Sequence, residues 1–174
     1  GQLHLHRSEW FEATDDLSRA VTELQTFSSL PPLYEALYLQ TLCSLSHTLI
    51  ESALFYERQE RLSKMRPRTI GLLQEASGYA HLVLSNTEAL PLYTLSALYA
   101  LIRVGSLLGH SEILSAQASE AERIWRSYKR EMSSDISVHA AIYYALATGE
   151  SFIALGDQSG LERTLEEVIP YVRT

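Results

Sequence analysis

Cysteine occurs once in the 174 residues, at Cys43, so no disulfide can form within the chain. Its neighbours Leu42, Ser44 and Leu45 predict a small buried hydrophobe rather than a nucleophile, because no activating partner stands near it in sequence. The lack of disulfides fits a reducing, intracellular compartment, cytoplasmic or nuclear. Glycine and proline are scarce, at 8 and 5, and no stretch between them alternates as a strand does. No uninterrupted apolar run approaches the roughly 18 residues of a membrane span, and no signal-peptide pattern opens the sequence. Positive charge is short: 14 Lys and Arg stand against 21 Asp and Glu, a net charge of −7. That balance argues against direct contact with nucleic acid, which needs clustered Lys and Arg. The densest basic group, Arg58, Arg61, Lys64, Arg66 and Arg68, has Glu57 and Glu60 among it and reads as a solvated helix end with its linker.

Chemical motifs are missing as well. There is no phosphate-binding loop, no GxSxG elbow, no zinc-ligand spacing and no HExxH. His4 and His6 are two apart near the terminus, where an extended segment would bring two imidazoles together, but no third ligand follows at useful spacing. His47, His81, His110 and His139 fall on separate elements, and none pairs with a Ser or Cys nucleophile in sequence. The recurring carboxylates Glu120, Glu122, Glu162, Glu166 and Glu167 read as solvated helix faces. Glu120 with Arg123, and Glu122 with Arg126, have the spacing of helix-surface ion pairs. The expectation is a protein with no catalytic, metal or cofactor site.

What remains is helical periodicity with short punctuation. The first helix is expected to start at Ser8 and to bury Phe11, Leu17, Ala20, Val21, Leu24 and Phe27, ending at the Ser28–Pro32 stretch. The second begins near Pro32 and extends to about Leu62. Its apolar residues from Leu33 to Tyr56 predict deep burial, and its unusual length leaves a break near Ser52 open. Pro67 opens the third, with Ile70, Leu73, Ala76, Ala80, Leu82 and Val83 on its buried stripe. The fourth carries Leu92, Leu95, Leu98, Leu101 and Ile102 and closes at Leu108-Gly109. The fifth starts at Ser111 and buries Ile113, Leu114, Ala118, Ala121, Ile124, Trp125 and Tyr128. The sixth starts at Ser134 or Asp135. The seventh starts near Gln158 and carries Leu161, Leu165, Val168 and Ile169.

Two turns repeat. Leu108-Gly109-His110 and Leu155-Gly156-Asp157 each end a long apolar helix and precede a more charged, amphipathic one. Glycine at that place suits a left-handed C-cap. In the hairpin from His139 to Val172, Gly149 supplies a small residue in mid-face, Phe152 an aromatic one turn later, and Leu155-Gly156-Asp157 the turn. This pattern resembles the tetratricopeptide (TPR)-like helical-hairpin repeat family. The hairpin from Leu98 to Tyr128 keeps Leu98, Leu101, Leu108, Gly109 and Ala121 but has Ile102 and Gly105 at the small and aromatic positions. The segment from Leu33 to Leu84 has no clear match, and a generic helical bundle stands as the alternative. The resemblance implies an all-α, right-handed superhelix of about three antiparallel hairpins and seven helices. It implies one domain over residues 1–174. Gly1 and an unpartnered first helix suggest a piece of a longer chain, whose exposed end helices could pair in a homodimer.

In such solenoids the first helix of each hairpin lines a concave groove. Aligning the two Leu-Gly turns puts Ser96, Tyr99, Arg103 and Ser106 on that side of the fourth helix, and Tyr143, Leu146, Glu150 and Ile153 on that side of the sixth. The implied role is a non-catalytic scaffold that binds a partner peptide or helix. The alternative is a ligand- or peptide-sensing domain of a larger transcriptional regulator. Two local questions stay open at this level. The tyrosines either meet a partner or fill gaps between helices, and Arg103 either meets a partner's acidic group or pairs with Glu150.

Overall fold

The computed structural model of the protein describes residues 2–26, 31–60, 67–132 and 136–172. These residues form seven helices and no strand: α1 (Gln2–Gln25), α2 (Pro32–Glu60), α3 (Pro67–Ser85), α4 (Pro91–Leu108), α5 (Ser111–Met132), α6 (Val138–Leu155) and α7 (Gln158–Val172). The all-α class that the periodicity predicts is the class adopted. The helices gather into two compact units, Gly1–Asn86 and Thr87–Thr174. Phe27, the 61–66 linker and Ser134-Asp135 lie outside the described residues, as do the side chains of His4, His6, Ser8 and Phe11.

In the first unit α2 packs against both α1 and α3. Its partners run antiparallel to it. Gln25 Nε2 donates to the Tyr38 hydroxyl at 3.1 Å, Asn86 Nδ2 to Glu35 Oε1 at 2.8 Å, and the buried Ser46 Oγ to the Ala76 carbonyl at 2.8 Å. Leu39, Leu42, Leu45, Leu49, Ile50 and Ala53 of α2 meet Leu73, Ala76, Ala80 and Val83 of α3 in the core, with Cys43 buried among them.

Several sequence expectations need correction here. α1 begins at Gln2 rather than Ser8, so positions 4 and 6 are helical and not extended. α2 passes Ser52 without a break. The first turns of α2 are not buried, since Leu33 is 79% exposed and Tyr34 and Leu37 are about half exposed. An apolar run states what a helix could bury, and the reach of its neighbours decides what it does bury. Leu82 is also exposed, because about 100° of helix rotation separates it from the buried Val83.

His47 of α2 lies partly buried, and burial lowers its pKa from 6.5 to about 4. The fold therefore favours the neutral ring, while the unfolded chain protonates near 6.5. Its contribution to stability is complete above pH 6.5 and is lost as pH falls toward 4, by at most about 3 kcal/mol. Urea denaturation of the protein and of His47→Gln across that window should show a steeper acid loss in the parent. Parallel profiles would refute this.

The second unit is two hairpins, α4–α5 and α6–α7. α4 packs on α5 and α6, and α6 also packs on α5 and α7. Both hairpins close in the same way. Gly109 (φ 74°, ψ 24°) and Gly156 (φ 71°, ψ 21°) take the left-handed conformation. The Gly109 and His110 amides donate to the Ser106 and Gly105 carbonyls at 3.2 and 2.8 Å, and the Gly156 and Asp157 amides to those of Ile153 and Phe152 at the same distances. This double closure satisfies two of the four orphan carbonyls of each helix end. Asp157 then caps the next helix, its Oδ1 accepting from the Gly160 amide at 3.0 Å and the Ser159 hydroxyl at 2.9 Å. Those bonds hold the Asp157 carboxyl below its usual pKa.

The two hairpins solve one packing problem in opposite ways. In the first, Gly105 of α4 is small, and the side chains of Leu114 and Ile113 fill the space at 3.0 and 3.3 Å from where a Cβ would stand. In the second, Phe152 of α6 is large, and Gly160 of α7 leaves its ring room. A Cβ on Gly160 would stand 2.7 Å from the ring and 2.6 Å from Asp157 Oδ2. The turn spacing that maps Gly109 onto Gly156 also maps Gly105 onto Phe152 and Ile113 onto Gly160. Large and small have changed places. Gly149, singled out by its small size, stands in ordinary contact at 3.4 Å from Leu161 Cδ1. Leu165 and Ile169, expected on the buried stripe of α7, are about half exposed.

α4 is long and apolar enough to cross a membrane by length and composition alone. Half of it is buried in this unit, as the core helix of a water-facing fold would also be. α6 begins at Val138, after the expected Ser134 or Asp135.

Candidate functional site

The α4 and α6 helices lie side by side, and their shared face carries most of the residues expected to line a groove. Arg103 Nη1 donates to Glu150 Oε2 at 2.7 Å, with the two side chains 26% and 19% exposed. The residues are 47 positions apart, which is the spacing of the two Leu-Gly turns. The ion pair thus ties equivalent positions of the two hairpins. One turn before Arg103 on α4 and two turns before Glu150 on α6, the Tyr99 and Tyr143 rings meet at 6.4 Å between centroids, tilted by 43°. Both tyrosines are half-buried, so each ring packs on its neighbour and keeps an accessible edge. Near them α6 exposes Ile142 and Leu146, and farther along, past Glu150, Ile153 at 66%.

The other two expected residues divide. Ser106 is half-buried at the C-terminal end of α4, where its carbonyl accepts the Gly109 amide. Ser96 is only 2% exposed and belongs to the core of α4, so it offers no surface to a partner. Of the two roles open to Arg103, pairing with Glu150 is present. Arg103→Ala should therefore cost about 1–2 kcal/mol in thermal or urea denaturation, because a half-buried carboxylate loses its counter-charge. Arg103→Ala/Glu150→Ala should recover part of that loss. An unaffected single mutant would mean that the pair contributes nothing to the hairpin contact.

A second constellation was not visible in sequence. Glu167 of α7, expected on a solvated face, is two-thirds buried and accepts three hydrogen bonds. They come from Trp125 Nε1 at 3.1 Å, Lys129 Nζ at 2.9 Å and the Tyr144 hydroxyl at 3.2 Å. Trp125 is fully buried and stacks on Tyr144 at 5.0 Å with 9° between planes, while Tyr171 meets it edge-on at 5.6 Å. Burial pushes the Tyr144 phenol up, and the Glu167 charge pushes it further. Burial opposes ionisation of Glu167, but the Lys129, Tyr144 and Trp125 donors outweigh it and hold the carboxyl below its usual range. Lys129 is raised by the same contact. The arrangement clasps α5, α6 and α7 together. Its acid is held ionised by three donors, and the nearest phenol is held protonated, so it suits anchoring better than proton transfer.

The expected surface pairs are present in α5: Arg123 with Glu120 at 2.5 Å and Arg126 with Glu122 at 2.9 Å. His81, His110 and His139 face solvent. No group of three His, Cys, Asp or Glu side chains among the described residues is placed to hold a metal ion. No family model matches the chain, and no curated protein and no solved structure matches it either.

Proposed function

We propose that this chain is a non-catalytic protein–protein interaction module of TPR-like hairpins, and that a partner peptide or helix lies along the α4–α6 face. The observation that carries this reading is the exposure of Ile142 and Leu146, next to Tyr143 and one turn from it on α6, beside the Tyr99–Tyr143 pair. Aromatic and aliphatic groups with accessible edges, flanked by a fixed ion pair, are the composition of a docking surface. The repeated hairpin supports a superhelical arrangement in which successive first helices share one face. A single cysteine, buried and without a disulfide, fits an intracellular setting.

A displayed library of amphipathic helical peptides tests the reading. Peptides enriched on the parent protein should fail to bind Tyr143→Ala/Leu146→Ser, a surface variant expected to keep its far-UV circular dichroism. Failure to enrich any peptide, or equal binding by the folded variant, would count against it.

A sensing domain of a larger regulator is the second reading. It draws on a different place, a cavity between α5 and α7.

A further inference from the structure

α5 and α7 both pack on α6 and leave a cavity of about 220 Å³ between them. α5 supplies Glu122 and Arg126 as one wall. α7 supplies Gly160, Arg163, Thr164 and Glu167 as the other, at the spacing of a single helix face, and Tyr144 and Phe152 of α6 form the floor. The volume equals about seven water molecules at roughly 30 Å³ each. It is below the roughly 300 Å³ at which sites for cofactor-sized ligands begin, so a ligand of one ring or a short chain is the limit.

The charges in this cavity are unequally committed. Glu167 accepts from Trp125, Lys129 and Tyr144. Glu122 is held by Arg126. Arg163 makes no salt bridge among the described residues. Its charge acts on Asp157, whose Oδ1 is already engaged by Gly160 and Ser159. One guanidinium with donors to spare therefore lines a cavity whose two acids each already hold a cationic partner. Beside it lies the Phe152 ring, which packs against the backbone of Gly160. A guanidinium fork matches a carboxylate bidentately, and an aromatic floor takes an apolar body.

We propose that this cavity binds a small organic carboxylate, with its carboxylate on Arg163 and its apolar body against Phe152. The site is separate from the α4–α6 face, so it stands or falls independently of the docking reading. It would give the fold a way to register a metabolite of that class, because an occupant touching α5, α6 and α7 together favours the packed arrangement of all three.

The test is a titration of the whole ¹⁵N-labelled chain with phenylacetate, followed by amide shifts. Benzylamine and inorganic phosphate serve as the cationic and the purely ionic probes. Shifts should concentrate at 122–126 and 160–167, and Arg163→Ala, an exposed position with no ion pair to lose, should weaken phenylacetate binding at least tenfold. Arg163→Lys should bind between the two. Scattered shifts, equal affinity in Arg163→Ala, or tighter binding of benzylamine would overturn the carboxylate site. Phosphate binding as tightly as phenylacetate would overturn the role given to Phe152.

Discussion

Trp125→Ala should destabilise the second unit by about 3–5 kcal/mol, the largest effect expected of any single substitution in the chain. Trp125 is fully buried. Removing it empties the space between Tyr144 and Tyr171, ends the stacking at 5.0 Å and takes one donor from Glu167. The transfer and cavity terms act in the same direction, and a partly buried carboxylate loses a partner as well. Trp125→Phe separates the contributions. It keeps most of the ring and removes the donor, so its cost should be well under half that of alanine. Hydrogen exchange read segment by segment is the appropriate measurement, because two compact units need not unfold as one. Protection should fall in 111–172 and stay unchanged in 32–60. A small loss, or one spread equally over both units, would show that the clasp is not what holds α5, α6 and α7.

Gly160→Leu should cost roughly 1–3 kcal/mol, since even its first carbon would stand 2.7 Å from the Phe152 ring. The informative experiment is the cycle with Phe152→Ala. If the second hairpin is the first with large and small exchanged, shrinking Phe152 should make room for the new side chain. The double mutant should then be more stable than the sum of the singles by about 0.5–3 kcal/mol. Strict additivity in urea denaturation would mean that Gly160 is needed for its backbone or for the Asp157 cap rather than for Phe152. The same cycle at Gly105 and Ile113 provides the reciprocal case.

The parts of the fold visible in sequence are those fixed by backbone chemistry. Pro67 at a helix start, the left-handed Gly109 and Gly156 and the starts at Ser111 and Gln158 all follow from local rules. The repeat was visible because two such rules recur at one spacing, and from it came the juxtaposition of Tyr99, Arg103, Tyr143 and Glu150. What escaped depends on neighbours. Glu167 reads as solvated because carboxylates usually are, and only the arrival of Trp125, Lys129 and Tyr144 from other helices makes its burial favourable. Ser96 reads as groove surface because alignment gives a face, whereas the packing of α4 decides how far that face is covered. Gly149 drew attention by its place in a motif, yet Gly160 is the glycine with no room for a Cβ, because Phe152 lies against it. Leu33 and Leu37 have the same composition as buried positions farther along α2 and differ only in what reaches them.

Docking of a partner on the α4–α6 face, as proposed, would shield that face from solvent exchange. Hydrogen–deuterium exchange with a peptide selected on the protein tests it most directly. Added peptide should slow exchange in 99–106 and 143–153, with little change in 32–60 and 158–172. Protection confined to α5 and α7, or to the first unit, would place the working surface elsewhere and contradict the proposal.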